Sequence, residues 1–175
     1  MSQRENKRQQ FENSSAEQGQ DKSMYIWCLL ILAVALTGAW FMLQNGSSSH
    51  ASVTAGQDGT VRFAAADFAD GQAQYFRYQG QAGPVKFFVV KSHDGVIRAA
   101  YDSCDVCYRE GLGYRQEGDD MVCNNCDQHF RTDLVNVRKG GCNPAPLKRR
   151  QVNEEIVIRA ADIERGARYF AVAGN

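Results

Sequence analysis

The sequence predicts a mainly β domain, built from antiparallel strands around two C-x-x-C loops and preceded by one transmembrane helix. Three observations support this prediction: an uninterrupted apolar segment near the amino terminus, short β-type runs separated by glycine turns, and a cluster of cysteines. The 175 residues have room for one ordinary domain plus accessory segments. We divide the chain into a cytoplasmic polar tail at 1–23, a membrane anchor at 24–43, a flexible linker at 44–59 and a folded domain at 60–175.

The predicted anchor, 24–43, reads MYIWCLLILAVALTGAWFML and contains no charged residue. A helix of this length, at 1.5 Å per residue, covers the hydrocarbon core of about 30 Å. Basic residues precede the segment and none follows it before Arg62. This asymmetry predicts that the amino terminus stays inside. We therefore expect a single-pass protein of the inner (cytoplasmic) membrane, whose carboxy-terminal domain is periplasmic or otherwise extracytoplasmic. A cleaved secretory signal is the alternative, but the apolar stretch is longer than such signals usually are.

Four β-type runs follow the linker, at 60–64, 73–79, 85–91 and 96–102. The third and fourth are predicted to form a hairpin, because Asp94-Gly95 supplies the positive φ angles of a tight turn. This hairpin leads to the first cysteine of the cluster. A closing strand at 150–159 and a short helix at 161–168 complete the predicted domain.

Composition excludes several functional classes. Residues 44–175 carry 16 basic and 16 acidic residues, so no charge excess favours nucleic acid and we expect no such partner. No Ser-His-Asp set, phosphate-binding glycine loop or convergent carboxylate pair supports a hydrolase.

One basic cluster does occur on both sides of 140–147, and it forms either a solvated face or a surface that steers an acidic redox partner. Its members are Arg138, Lys139, Lys148, Arg149 and Arg150.

Five of the six cysteines fall within 39 residues, and four of them have the spacing C-x2-C-x15-C-x2-C: Cys104, Cys107, Cys123 and Cys126. This spacing is typical of metal sites. Two residues between cysteines let a loop turn so that both sulfurs point at one centre. Two such loops supply four thiolates, which suit an iron–sulfur cluster, zinc or a mononuclear iron.

Other interpretations of the cysteines remain open. They could form structural disulfides in an oxidising compartment. They could also act as exchangeable pairs in a thiol–disulfide oxidoreductase or a metallochaperone. Cys142 is either an additional or exchanging ligand, a resolving thiol or a small buried residue. His129 lies three residues after Cys126, where it could contact a sulfur or be a plain surface histidine.

The stretch from Cys104 to Leu147 resembles the carboxy-terminal domain of the FtrD-like family of membrane iron–sulfur proteins. The two C-x-x-C pairs and GGCNPAPL carry this resemblance, which extends over about residues 60–172. It implies a membrane-tethered electron-transfer component, linked in some members to ferrous iron uptake alongside a permease and a cupredoxin-like protein. On this pattern all five cysteines fall on motif positions. Longer members have several membrane helices, so transport by those helices is not implied here.

The order of strands, cysteine loops and Pro-Ala-Pro-Leu is also distantly similar to Rieske ferredoxin domains, which implies a small Rieske-like fold. In those domains each loop offers one cysteine and one histidine to a two-iron cluster. Cys107 and Cys126 would stand where those histidines are. Thiolates in place of imidazoles add negative charge near the irons, so we expect a lower potential than that of a Rieske centre.

Together these features predict an electron carrier or metal-binding module rather than a stand-alone enzyme. We expect residues 24–43 to contact the lipid bilayer, and a membrane permease or a redox protein to be the partner. Because an all-thiolate site also accepts zinc, a zinc-stabilised interaction domain is a further alternative.

Overall fold

The computed structural model describes residues 25–32 and 50–171. The chain divides into two compact units, Met1–Ser47 and Ser48–Asn175. In the first unit, residues 25–32 are helical and form α1. Within the described ranges, no helix is both long enough and apolar enough to cross a membrane. The predicted tail and most of the predicted anchor lie outside the described residues.

The second unit is mainly β, which confirms the prediction of a mainly β domain for this part of the chain. Its strands form three small sheets, with the orders β1-β3-β4-β5, β2-β10-β9 and β6-β7-β8. Every pairing is antiparallel except that of β1 with β3. The strands are β1 (Ala51–Val53), β2 (Thr60–Ala64), β3 (Gln74–Gly80), β4 (Gly83–Lys91), β5 (Ile97–Tyr101), β6 (Tyr114–Glu117), β7 (Asp120–Cys123), β8 (His129–Arg131), β9 (Arg150–Val152) and β10 (Glu155–Arg159).

The four predicted runs correspond to β2, β3, β4 and β5, with ends that differ by at most two residues. The predicted hairpin joins β4 to β5, but only Gly95 of the Asp-Gly pair has a positive φ, of 79°. The Gly95 N–H donates to the Ser92 carbonyl over 2.8 Å, and the Ser92 N–H donates to the Val96 carbonyl over 3.0 Å. These bonds close a three-residue loop with a left-handed glycine in its last position.

The predicted closing strand at 150–159 is a hairpin rather than one strand. Asn153 has a φ of 53° and turns the chain between β9 and β10. Asparagine tolerates this left-handed conformation, so the chain can turn here without a glycine or a proline. In β10, Ile156 and Ile158 are fully buried, whereas Val152 of β9 is exposed.

The predicted helix at 161–168 is shorter than expected. It consists of α2 (Ala160–Glu164) followed by a 3₁₀ turn at Arg165–Tyr169. Arg159 donates two hydrogen bonds to Asp162, of 2.7 and 3.0 Å. The Arg159 side chain holds the pKa of the buried Asp162 carboxyl below its usual value, against the opposing effect of desolvation.

Strand β1 lies inside the predicted linker, 44–59, so the folded unit begins before the expected Thr60. Its residues pair in parallel with residues 76–78 of β3. The His50 ring also contacts the Asp102 carboxylate, with 2.9 Å between Nε2 and Oδ2. Backbone pairing at a sheet edge needs no apolar alternation, and the Ala-Ser-Val sequence of β1 offers none.

Two hydrophobic cores lie on opposite faces of β4. Phe87 and Val89 belong to the first core, together with Ile156 and Ile158 of the second sheet. Phe88 and Val90 belong to the second core, which includes two of the cysteines, Cys104 and Cys123. This division follows from the strand period, because successive side chains point to opposite faces. The cysteine loops are therefore anchored to the second core.

Candidate metal centre

Three loops carry the clustered cysteines. Cys104 and Cys107 lie in the loop after β5, and a 3₁₀ turn at Tyr108–Glu110 follows them. Cys123 is the last residue of β7, and Cys126 lies in the turn between β7 and β8. Cys142 lies in the loop between the 3₁₀ turn at Thr132–Leu134 and β9. All five thiols are free.

The structure brings these five sulfurs into two overlapping groups. One group contains Cys104, Cys107 and Cys142, and the other contains Cys107, Cys123 and Cys126. Within each group the three Sγ atoms lie within 4.8 Å of one another. The Sγ atoms of Cys107 and Cys142 are 3.8 Å apart. Cys107 therefore belongs to both groups and connects all three loops.

This arrangement fits a thiolate-bound metal. A tetrahedral centre with metal–sulfur bonds of about 2.3 Å places its sulfurs about 3.8 Å apart. The Cys107–Cys142 distance matches this value, and the other sulfur pairs within each group lie no more than 4.8 Å apart. All the potential ligand atoms in both groups are cysteine sulfurs, with no imidazole nitrogen or carboxylate oxygen among them. Such soft donors suit zinc, iron and iron–sulfur clusters.

The cysteines range from buried to exposed. Cys104 and Cys123 are 1% and 2% exposed, Cys107 and Cys142 are partly exposed, and Cys126 is exposed. The second core thus covers one side of the sulfur cluster, while the side of Cys126 is open to solvent. The sulfur cluster is therefore reachable from solvent on the Cys126 side.

Most of the thiols resist ionisation when no metal is bound. Desolvation raises the pKa of Cys123 to about 12 and also raises the pKa of Cys142. For Cys107, a hydrogen bond with Asn125 lowers the pKa, but desolvation and the Cys142 thiol outweigh it and raise the pKa to about 11. A metal must therefore displace protons from these thiols in order to bind.

Cys126 differs from the other thiols, because a backbone hydrogen bond from Gln128 lowers its pKa. A further backbone contact joins the two cysteines of the first loop, where the Cys107 N–H donates to the Cys104 Sγ over 3.1 Å. Backbone N–H groups of this kind stabilise thiolate charge and influence the potential of a bound metal group.

Three residues that the sequence analysis did not identify hold the loops in place: Asp102, Tyr114 and Asn124. The Tyr114 hydroxyl donates to the Cys142 carbonyl over 2.6 Å, and the Tyr114 N–H donates to Asp102 Oδ1 over 2.7 Å. Burial, and then the nearby Cys104, raise the pKa of Tyr114, so its hydroxyl stays protonated. Asn124 Nδ2 donates to the Leu112 carbonyl over 2.8 Å. No spacing or motif indicated these roles, which depend on contacts between loops.

The structure places His129 outside both sulfur groups. Its ring is exposed, and its Nδ1 lies 3.2 Å from Asp120 Oδ2, an ion-pair distance if the ring is protonated. This geometry agrees with a surface histidine and not with a metal ligand.

Comparison with known proteins identifies the family. The profile described as "Membrane iron-sulfur containing protein FtrD-like" matches residues 68–170, which is more than half of the chain. No curated protein sequence matches the chain. Among solved structures, the crystal structure of the quaternary ammonium Rieske monooxygenase CntA in complex with an inhibitor has a TM-score of 0.37 and 16% identity, covering 58% of this chain. The match spans 31% of the CntA chain. On the family match, this chain belongs to the FtrD-like family of membrane iron–sulfur-containing proteins.

Proposed function

We propose that this protein is an electron-transfer component that holds an iron–sulfur cluster on its clustered cysteines. The observation that carries the proposal is the convergence of five thiols from three loops, with Cys107 common to both sulfur groups. The family description supports iron–sulfur chemistry over zinc, because it names an iron–sulfur-containing protein. Cys104, Cys107, Cys123 and Cys126 are the proposed ligands, and Cys142 is the proposed additional or exchanging ligand.

A bound iron–sulfur cluster would supply one-electron exchange. Cys104 and Cys123 are buried and would bind the cluster on the side that faces the second core. The buried side chains of Met121 and Phe88 belong to that core and would exclude water from this side. The Cys107 N–H stabilises negative charge on the Cys104 sulfur. Tyr114 fixes the loop of Cys142 through its carbonyl. The exposed Cys126 marks the side at which a partner can approach.

We further propose that the chain is anchored in the inner membrane through residues 24–43, with its amino terminus inside and its folded domain on the periplasmic or otherwise extracytoplasmic side. The family description names a membrane protein, and the basic residues before the apolar segment favour this orientation. A membrane permease or redox protein is the proposed partner. A link to ferrous iron uptake is proposed from the family resemblance.

A redox titration tests electron transfer. The full chain is purified without oxygen in a neutral detergent and titrated in a spectroelectrochemical cell. We expect visible bands that bleach and recover reversibly in a one-electron step, with a midpoint below the Rieske range of about −150 to +300 mV, because thiolates replace imidazoles. A protein that contains metal but shows no reversible change at any accessible potential would refute the electron-transfer proposal.

A second candidate function is thiol–disulfide exchange. Two observations favour it: the 3.8 Å separation of the Cys107 and Cys142 sulfurs, and the lowered pKa of the exposed Cys126 thiol. A thiol probe separates the two candidates. Rapid labelling of Cys126 in the protein as isolated would favour exchange, whereas protection that ends only when the metal is removed would favour the metal centre.

A further inference from the structure

A groove of about 650 Å³ lies between β5, β10, α2 and two stretches of chain at 135–137 and 148–150. Those two stretches lead into and out of the loop that carries Cys142. Asn136 ties them together, because its Nδ2 donates to the Leu147 carbonyl over 2.7 Å and to the Ala99 carbonyl of β5 over 3.0 Å. The groove is therefore built on the same loop as part of the sulfur cluster.

The groove contains a half-buried cation, the side chain of Arg149. Arg149 has no ion pair with any carboxylate in the described part of the chain. Desolvation lowers the pKa of Arg149, and the charge of Arg98 lowers it further. A partly buried charge usually has a partner of opposite sign, because its desolvation is otherwise uncompensated. The guanidinium of Arg149 is thus available to an anion from outside.

The neighbouring charges add to this excess. Arg98 is already held by Asp94, with distances of 2.8 and 2.9 Å. Asp162, the one carboxylate in the groove lining, is engaged by Arg159. Lys148 and Arg150 line the groove as well and form no ion pair among the described residues. The groove therefore presents more positive charge than its own carboxylate can neutralise.

Apolar side chains accompany the cations. Val137 is 62% exposed and Val96 is 38% exposed, and both line the groove. A volume of about 650 Å³ is far larger than one carboxylate group needs and lies within the usual range for ligand sites. A ligand that fills the groove must combine negative charges with apolar groups.

We propose that this groove docks an acidic segment of a partner protein, in which carboxylates alternate with apolar side chains. The identification of the occupant as a protein rests on the proposed electron-transfer function, because an electron carrier must meet a redox partner. Such encounters are usually weak and are steered by complementary charge. Docking here would place the partner against the two stems of the Cys142 loop, which are residues 135–137 and 148–150.

Peptide binding to the full chain in neutral detergent tests the proposal. The probe is a fluorescent peptide of alternating glutamate and valine, and the control peptide has glutamine in place of glutamate. We expect the acidic peptide alone to bind in fluorescence anisotropy, with an affinity that falls as salt rises. Arg149→Gln should weaken binding about tenfold, which corresponds to the loss of a charge-assisted hydrogen bond.

Two further variants make this result specific. Arg138→Gln removes the same charge from the same basic cluster, but Arg138 is exposed and does not line the groove, so it should change affinity by less than about twofold. Arg149→Lys keeps the charge and should recover part of the lost affinity. A circular dichroism spectrum of each variant establishes that it is folded.

Three results would overturn the proposal: no binding of the acidic peptide, equal weakening by Arg149→Gln and Arg138→Gln, or displacement of the peptide by citrate at equal affinity. The last result would assign the groove to small polyanions. Peptide binding is measured without electron transfer. If the peptide binds through Arg149 but the protein has no redox-active metal, the docking proposal for the groove stands and the electron-transfer proposal is refuted.

Discussion

Replacing Asp102 by alanine should destabilise the protein by removing a buried acceptor of two hydrogen bonds. The Asp102 side chain lies directly before the first cysteine loop and the residue is 6% exposed. Its Oδ1 accepts a hydrogen bond from the Tyr114 N–H over 2.7 Å, and its Oδ2 lies 2.9 Å from Nε2 of His50. Gly113, with a φ of 66°, packs against the same carboxylate. The carboxylate thus joins the amino-terminal edge, the first cysteine loop and β6.

The magnitude follows from the two donors that lose their acceptor. The Tyr114 N–H is buried, and leaving such a donor unpaired costs about 1–3 kcal/mol. The His50 side chain is mostly buried but can turn toward solvent. Loss of its hydrogen bond to Asp102 should therefore cost about 1 kcal/mol. We therefore expect Asp102→Ala to lower the free energy of unfolding by about 2–4 kcal/mol. Asp102→Asn keeps one acceptor oxygen, and its cost should be about half as large.

Urea unfolding of the full chain in neutral detergent, followed by near-ultraviolet circular dichroism, measures these differences. Asp119→Ala is the matched control, because Asp119 is exposed and its side chain forms no ion pair in the described part of the chain. It should change the free energy of unfolding by less than about 0.5 kcal/mol. A loss below about 1 kcal/mol for Asp102→Ala would refute the reasoning.

Three other predictions concern the metal centre, packing and pH. Cys107→Ser removes the sulfur shared by both groups and should reduce bound metal at least about tenfold, whereas Cys126→Ser leaves one group intact and should retain more. Equal metal content in these variants would contradict the shared role. Gly166→Ala places a Cβ within 2.7 Å of Tyr101 Cζ and should lower the free energy of unfolding by about 2–3 kcal/mol, so an unchanged thermal melt would be inconsistent with this packing. Hydrogen bonds from Arg159 lower the folded-state pKa of Asp162, so the stabilisation by its carboxylate is present at neutral pH and is lost as the pH falls through that pKa. Asp162→Asn should therefore be less stable than wild type at neutral pH but not in strong acid, and thermal melts over a pH series would measure this difference.

Strands rich in β-branched and aromatic residues could be predicted from the sequence, whereas a strand of small residues could not. The runs that became β2, β3, β4 and β5 are rich in β-branched and aromatic residues and are bounded by turn residues. β1 contains only Ala-Ser-Val and is held by backbone bonds at a sheet edge. The hairpin of β9 and β10 was predicted as one strand, because Asn153 turns the chain without interrupting the apolar pattern.

The cysteine spacing indicated a site but not its internal arrangement. It grouped four cysteines in two pairs, whereas the sulfurs lie in two groups that share Cys107. Cys142 joins the first group because its loop folds back onto the end of β5. The Tyr101 N–H donates to the Ala145 carbonyl over 2.8 Å, and the Ala145 N–H donates to the Ser103 carbonyl over 2.9 Å. Such long-range backbone pairing leaves no local pattern in the sequence.

The sequence also did not show which residues of the basic cluster share one surface. Its five members are close in sequence, but only Lys148, Arg149 and Arg150 line the groove, while Arg138 and Lys139 do not. The separation depends on Asn136, whose φ of 67° and side-chain hydrogen bonds set the direction of the chain before the Cys142 loop.

The iron and acid-labile sulfide content of the full chain shows whether the clustered cysteines hold an iron–sulfur cluster. The protein is purified without oxygen from cells supplied with iron, and both elements are measured per chain together with the visible spectrum. We expect about two irons with acid-labile sulfide and visible bands that bleach on reduction. Stoichiometric zinc without visible bands would contradict this expectation and would leave these cysteines as a structural metal site.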